Sequence, residues 1–346
     1  MTPLRHHQKM TSDSLPAAWD QIDPVGHEVD SFMRLRLPYI TACPTYAARR
    51  VPEGLEAIIL EVEKDAIPSE IAYTETKGLN LHAHPLNPGR SGSTRLILSL
   101  TDSRFRDVFR SLGVDLITCL AGARNQREAV EILSSRLARW QTFLRTQALE
   151  GLSAEQVRGL FGELAFLRRY LLQRSPDRGV NSWRGPFGGS HDFQLSQGSI
   201  EIKTTSAVSP LRFRVSNIQQ LDDSNVTKLF LCLVLVQDSE SEGESLPELV
   251  RSIEGVLSET IRPVFEDALF SAGYLNVQEQ LYTSPRYALR EMKFYRVAEG
   301  FPCLREADIP EGVLNARYDV ATGACAPFLC NGEDAMDFLL SGWSAT

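Results

Sequence analysis

The chain has 346 residues, 43% hydrophobic and 23% charged, with a formal net charge of -8 at pH 7. Its length exceeds the ~150 residues of a typical single domain, and its composition is that of a folded globular protein rather than a disordered one. The negative balance, with a pI near 5.4, excludes tight non-specific binding of nucleic acid over the whole surface, so any such contact has to be local.

Residues 1–30 are polar and contain prolines, which predicts a poorly ordered arm. Met1 to Ser12 lacks the apolar core of a secretory signal, and no stretch approaches the ~18 apolar residues of a membrane helix. A cytoplasmic protein without membrane contact is expected. The six cysteines are scattered, with no CxxC pair and no histidine at zinc-finger spacing, so reduced thiols are expected rather than disulfides or structural zinc.

Over residues 31–122, short apolar runs such as Glu56 to Val62 and Thr94 to Leu100 alternate with turn-rich segments, among them Pro85 to Ser93. That pattern predicts a β-rich N-terminal domain. His82 and His84 in this region look metal-like, but no third ligand is evident and alternate strand positions explain them. Residues 123–346 form the predicted second domain. It opens with a long amphipathic helix over Asn125 to Thr146, in which Ala129, Ile132, Leu133, Leu137, Trp140 and Leu144 recur at helical spacing.

A second helix starts at Ser153, where Ser153 and Gln156 stand at capping-box spacing, and runs to about Leu172. Leu160, Leu164, Leu167 and Leu171 define its apolar stripe, extended on one side by Phe166 and Tyr170. Glu163 falls inside that arc. A carboxylate there is costly unless it meets a cation or a donor, which makes it a candidate metal or water ligand; pairing with Arg168 or Arg169 is the alternative.

A Gly/Pro/Ser-rich separator, Ser175 to Ser190, precedes a strand pair over His191 to Thr205. A short strand at Leu211 to Val215, a helix starting at Ser216 and a buried strand at Leu229 to Val236 follow. Asp238 to Glu248 reads as a solvated acidic loop and Leu249 to Ala272 as a helix interrupted by Pro263. Strands at Met292 to Val297 and Val313 to Val320 and a helix at Asp334 to Leu340 complete an α/β core.

The strand pair carries the chemistry. Pairing Leu195 with Ile200 sets Phe193 across from Ile202, Gln194 from Glu201 and Asp192 from Lys203, with four apolar side chains on one face and Asp192, Gln194, Glu201 and Lys203 on the other. Across such a pair the Asp192 and Glu201 carboxylates can converge on one hard cation, for which Mg²⁺ is suited. Lys203 beside it can orient or help deprotonate an attacking water and stabilise charge on a phosphate. Glu-x-Lys also occurs at Glu75 to Lys77 and Glu291 to Lys293, and an exposed hairpin with a salt bridge is the bland alternative for the 192–203 copy. What separates that copy is the apolar backing and the turn at Gly198. Arg158, Arg168, Arg169, Arg174, Arg178 and Arg184 lie between the helix and the hairpin as candidate phosphate contacts, with Arg212 and Arg214 on the next strand; a solvated helix face is their alternative.

Phe161-Gly-Glu163-Leu, Trp183-Arg-Gly-Pro186, Asp192-Phe and Ile200-Glu-Ile-Lys203-Thr-Thr resemble the PD-(D/E)XK nuclease superfamily. More narrowly, they resemble a family of bacterial proteins whose genes tend to sit in restriction-like or phage-defence clusters. The resemblance is specific over residues 150–222. It implies a restriction-endonuclease-like α/β core, a mixed sheet flanked by helices, behind the added β-rich domain. It also implies a Mg²⁺-dependent nuclease acting on DNA, with Mn²⁺ as a substitute, and with other subunits of a restriction or defence system, or a homodimer, as possible partners. On it, Asp192 and Glu201 are metal ligands, Lys203 is the catalytic lysine, Glu163 is the acidic residue of the preceding helix, and Gln220 or Gln219, with Arg212, is accessory. His191 stands where the superfamily's name has proline, and is expected to be structural or a phosphate contact. The rival reading is a non-catalytic DNA-binding or docking subunit. A small-molecule enzyme has little support, because GxGxxG after a strand, Walker A and GxSxG patterns are absent.

Overall fold

A computed structural model describes residues 14–23, 31–68, 75–76, 78–86, 92–146, 151–206, 211–313 and 316–343. The chain divides into two compact units, Met1–Leu149 and Glu150–Thr346. Among the described residues no helix is long and apolar enough to cross a membrane, and no disulfide joins the cysteines.

The first unit contains α1 (Ser14–Asp20), β1 (Ser31–Arg36), β2 (Thr45–Val51), β3 (Glu56–Glu63), β4 (Glu75–Thr76), β5 (Leu79–Pro85), β6 (Ser93–Leu100), α2 (Arg106–Leu120) and α3 (Gln126–Thr146). Its strands form one antiparallel sheet in the order β1-β2-β3-β6-β5-β4. The expected β-rich region is therefore present, but the expected arm is not wholly an arm. Leu15 and Trp19 of α1 are buried, and Trp19 Nε1 donates to the Ala57 carbonyl at 2.9 Å. Residues 1–13 and 24–30 of that arm lie outside the described residues, as does Lys77 of the rival Glu75 motif. His82 and His84 occupy alternate positions of β5, as expected.

The helix predicted from Asn125 to Thr146 is α3, with Ala129, Leu133, Leu137 and Trp140 buried. Trp140 Nε1 donates to Asp115 Oδ2 on α2 at 2.9 Å. That contact keeps α3 with the first unit, so the division falls after residue 149 and not at the predicted 122/123 boundary.

The second unit contains α4 (Ala154–Phe166), α5 (Pro176–Ser182), β7 (Phe193–Leu195), β8 (Gly198–Thr205), β9 (Arg212–Val215), β10 (Leu229–Ser239), α6 (Leu246–Glu254), α7 (Arg262–Ser271), β11 (Arg286–Val297), β12 (Tyr318–Ala321), β13 (Leu329–Cys330) and α8 (Gly332–Leu339). Ser153 caps α4 in a complete capping box with Gln156, and the helix continues through a π-helical turn, Leu167–Leu171. The separator before the hairpin contains a helix, α5, because Pro176 fits the first helical turn. The segment after β9 is a 3-10 turn, Ile218–Leu221, capped by Asn217, rather than a longer helix. The helix expected from Leu249 to Ala272 is two helices, with Pro263 in the first turn of the second.

The main sheet runs β13-β11-β10-β8-β7; β8 and β10 are parallel and the other pairs antiparallel, so the sheet is mixed. β10 is apolar from Leu229 to Val236 because both faces are covered there. Phe230, Cys232, Val234 and Val236 enter a core shared with α4, α6 and α7, while Leu229, Leu231 and Leu233 enter a second core beneath the β9–β12 ribbon. This is the mixed α/β architecture, with an antiparallel sheet ahead of it, that the sequence predicts.

Candidate active site

The β7–β8 hairpin has a different register from the expected one. Leu195 pairs with Gly198, Gln194 with Ser199 and Phe193 with Ile200 around a two-residue turn, Ser196–Gln197. The shift is two residues, which preserves the faces because the side-chain period of a strand is two. Phe193, Ile200 and Ile202 are buried in the larger core with Leu195 packed against it, as the alternation predicts. Continued one step, the observed register sets Asp192 across from Glu201 instead of Lys203.

Asp192 sits just before β7. Its carbonyl accepts from the Arg184 and Gly185 N–H groups at 2.7 and 3.0 Å, and its Oδ2 from the Ile202 N–H at 2.7 Å. Glu201 is 1% exposed. Lys203 Nζ donates to Glu201 Oε1 at 2.7 Å and to Gln220 Oε1 at 2.8 Å, and that amide oxygen also accepts from the Ser216 N–H at 2.9 Å. Glu163 reaches the group from α4, where Trp183 Nε1 donates to its Oε2 at 2.7 Å. The alternative pairing of Glu163 with Arg168 is not formed; Arg168 binds Glu244 through both terminal nitrogens, at 2.9 and 2.7 Å.

The electrostatics follow from three carboxylates facing one ammonium. Burial, then Asp192, push the Glu201 carboxyl up to about 8, against the pull of Lys203. Burial and the charge of Asp192 raise Glu163 well above the ordinary glutamate value, opposed by the Trp183 hydrogen bond. Burial also raises Asp192, with Lys203 and the Ile202 N–H acting the other way. For Lys203, burial works against the charge, but Glu201, Asp192 and Glu163 outweigh it and hold its pKa above the ordinary lysine value.

Among the described residues, no three His, Cys, Asp or Glu side chains are already drawn together as a metal cluster. One oxygen of Asp192 is committed to Ile202, and the Glu201 carboxylate to Lys203 and the Asp192 backbone, leaving Asp192 Oδ1 to accept a further partner. The space for it is kept by Gly185: a Cβ there would stand 2.7 Å from Asp192 Oδ1 and 3.5 Å from Glu163 Oε2. A buried group of carboxylate oxygens of this kind fits a hard divalent cation.

Most other predicted positions lie elsewhere. Gln219 is exposed and does not join Lys203, whereas Gln220 does. Arg212 is exposed on β9. Of the six arginines expected together, Arg168 pairs with Glu244, Arg174 with Asp337, and Arg178 donates to the Gly342 carbonyl, while Arg169 and Arg174 line one shallow pocket. His191 is 3% exposed, and neither ring nitrogen makes a hydrogen bond. The rival Glu291 and Lys293 form a more exposed pair at 3.4 Å on β11. Two residues that shape the site, Trp183 and Gly185, were visible only as part of the Trp-Arg-Gly-Pro motif, with no role attached.

A family model described as "Putative PD-(D/E)XK family member, (DUF4420)" matches residues 15–323. The chain belongs to that family. The match spans both units, so the β-rich N-terminal region is part of what the family shares and not an addition peculiar to this chain. Family membership points to a nuclease-like function, and the mixed sheet flanked by helices is consistent with a PD-(D/E)XK fold. A search of curated proteins and a search of solved structures each found no match.

Proposed function

We propose that this protein is a Mg²⁺-dependent nuclease that hydrolyses DNA phosphodiester bonds. The observation that carries the reading is that the buried Glu163, Asp192 and Glu201 carboxyls lie near enough to feel one another's charge, beside a Lys203 ammonium fixed by two acceptors. Glu163, Asp192 and Glu201 would hold Mg²⁺, or Mn²⁺ in its place. When bound, such an ion supplies Lewis-acid polarisation of a phosphoryl oxygen and lowers the pKa of water.

The remaining work falls to the chain's own groups. Lys203, held protonated by its carboxylate neighbours, acts as a donor: two of its N–H bonds go to Glu201 and Gln220, and the third is available to a phosphate oxygen or an attacking water. Gln220 fixes the direction of that donor, and Trp183 fixes Glu163. The resemblance to proteins encoded in restriction-like and defence clusters supports a role in such a system.

Purified protein is expected to cut linear, supercoiled or single-stranded DNA with Mg²⁺ or Mn²⁺, and Lys203→Ala to lower the rate by about a hundredfold or more. In its native setting the same substitution should abolish protection against phage. No cleavage of any DNA form, together with calorimetry showing no Mg²⁺ binding that Asp192→Asn removes, would overturn the proposal in favour of a non-catalytic subunit.

A further inference from the structure

The polar face of β9 carries charge away from the catalytic group. Phe213 and Val215 point into the smaller core, so Arg212 and Arg214 emerge together on the other face. β12 pairs with β9 so that Asp319 lies across from Arg214 and Ala321 across from Arg212. Arg214 Nε meets Asp319 Oδ1 at 3.0 Å, whereas Arg212 has no carboxylate directly across from it. Arg317, just before β12, is exposed and forms no ion pair among the described residues.

Arg214, Arg317 and Asp319 line a groove of about 890 Å³ between the first turn of α4 and the β9–β12 ribbon. A second concavity of about 380 Å³ shares Glu155, Arg214 and Asp319 with it and extends to Arg212, Arg158, Thr204 and Thr205. The two adjoin along Arg214 and Asp319 and form one furrow over the C-terminal end of β8. Four arginines there face two lining carboxylates and Asp238, which stands 3.7 Å from Arg158, still a local positive excess in a chain of net charge -8. The aromatic residues are engaged elsewhere: Phe213 is in the core, and the Tyr318 hydroxyl accepts from the Leu304 N–H at 3.0 Å. Guanidinium forks without stacking platforms suit phosphates rather than bases.

We propose that this furrow is the track for the sugar-phosphate backbone of the DNA substrate, holding it irrespective of sequence. The proposal rests on the nuclease reading for what happens to the bound DNA, and binding tests the track separately.

The experiment compares wild-type protein with Arg212→Glu/Arg317→Glu, titrated into a fluorescein-labelled 30-base-pair duplex and its single strand in EDTA over a series of salt concentrations. Both residues are exposed, so the variant should melt with the wild type. Its Kd should rise at least about tenfold, and the slope of log Kd against log salt should fall by about two, one for each lost phosphate contact. A scrambled duplex should bind equally well. Arg251→Glu/Arg262→Glu, with the same charge change at exposed positions outside the furrow, should retain affinity. Wild-type protein that cuts DNA while the furrow variant binds with unchanged Kd and slope would overturn the track and leave the nuclease reading standing. Furrow-dependent binding without any cleavage would uphold the track and defeat the nuclease reading. Equal weakening by the control pair, or no DNA binding at all, would overturn the track.

Discussion

Glu201 is 1% exposed and its carboxyl is pushed up from 4.5 to about 8. An acid whose pKa rises on folding makes the native state bind more protons than the unfolded chain between those two values, so folding stability falls as pH rises through that window. The slope from one such group is at most about 1.4 kcal/mol per pH unit. In EDTA, the melting temperature is therefore expected to drop between pH 5 and pH 8, and Glu201→Gln to flatten that drop. Millimolar Mg²⁺ should raise the melting temperature more at pH 8 than at pH 6, because at the lower pH it competes with the site protons. A melting temperature that rises over this range in both proteins would contradict the electrostatics of the site. At this scale, the sequence displayed Asp192, Glu201, Lys203 and Glu163 because their neighbours alternate or recur with the period of the element. Trp183 and Gly185 carry no such pattern; one acts through a hydrogen bond across 20 positions and the other through a missing Cβ.

At the level of elements, α4 lies close enough to β8 that a Cβ on Gly162 would overlap Thr204 Oγ1. Gly162→Ala must push the helix outward, at a cost of about 1–3 kcal/mol, and shifts the neighbouring Glu163 with it. Urea denaturation should register that loss, and cleavage should fall by more than the unfolded fraction explains. Full activity at unchanged stability would show that the contact is not needed. The hairpin shows where pattern stops being informative. Registers two residues apart put the same side chains on the same face, so alternation identified the faces but not whether Asp192 opposes Glu201 or Lys203. Similarly, the amphipathic period of 249–272 did not show that residues after Glu254 leave the helix before Pro263 restarts it.

The whole molecule divides at residue 149, and the second unit has its own core around Phe166, Phe193, Cys232 and Phe265. Expressed alone, residues 150–346 are expected to fold, with a single cooperative melting transition and dispersed amide resonances. A fragment that melts without cooperativity would show that the second unit depends on the first. The order of a β-rich region followed by an α/β region was legible from the spacing of apolar runs and turns. The boundary was not, because an amphipathic helix announces that one face will be buried without naming the core that buries it, and α3 packs on α2.

The parallel pairing of β8 with β10 has a consequence for assembly. Parallel neighbours cannot be joined by a tight turn, so the chain must travel over residues 206–228 before β10 takes its place. Gln220, which holds Lys203, lies on that detour. The two-residue turn lets the hairpin bearing Asp192, Glu201 and Lys203 close locally, but its lysine acquires a fixed direction only when the long connection is laid over it. On the proposed nuclease reading, cutting is expected only once the sheet is complete and that connection is in place.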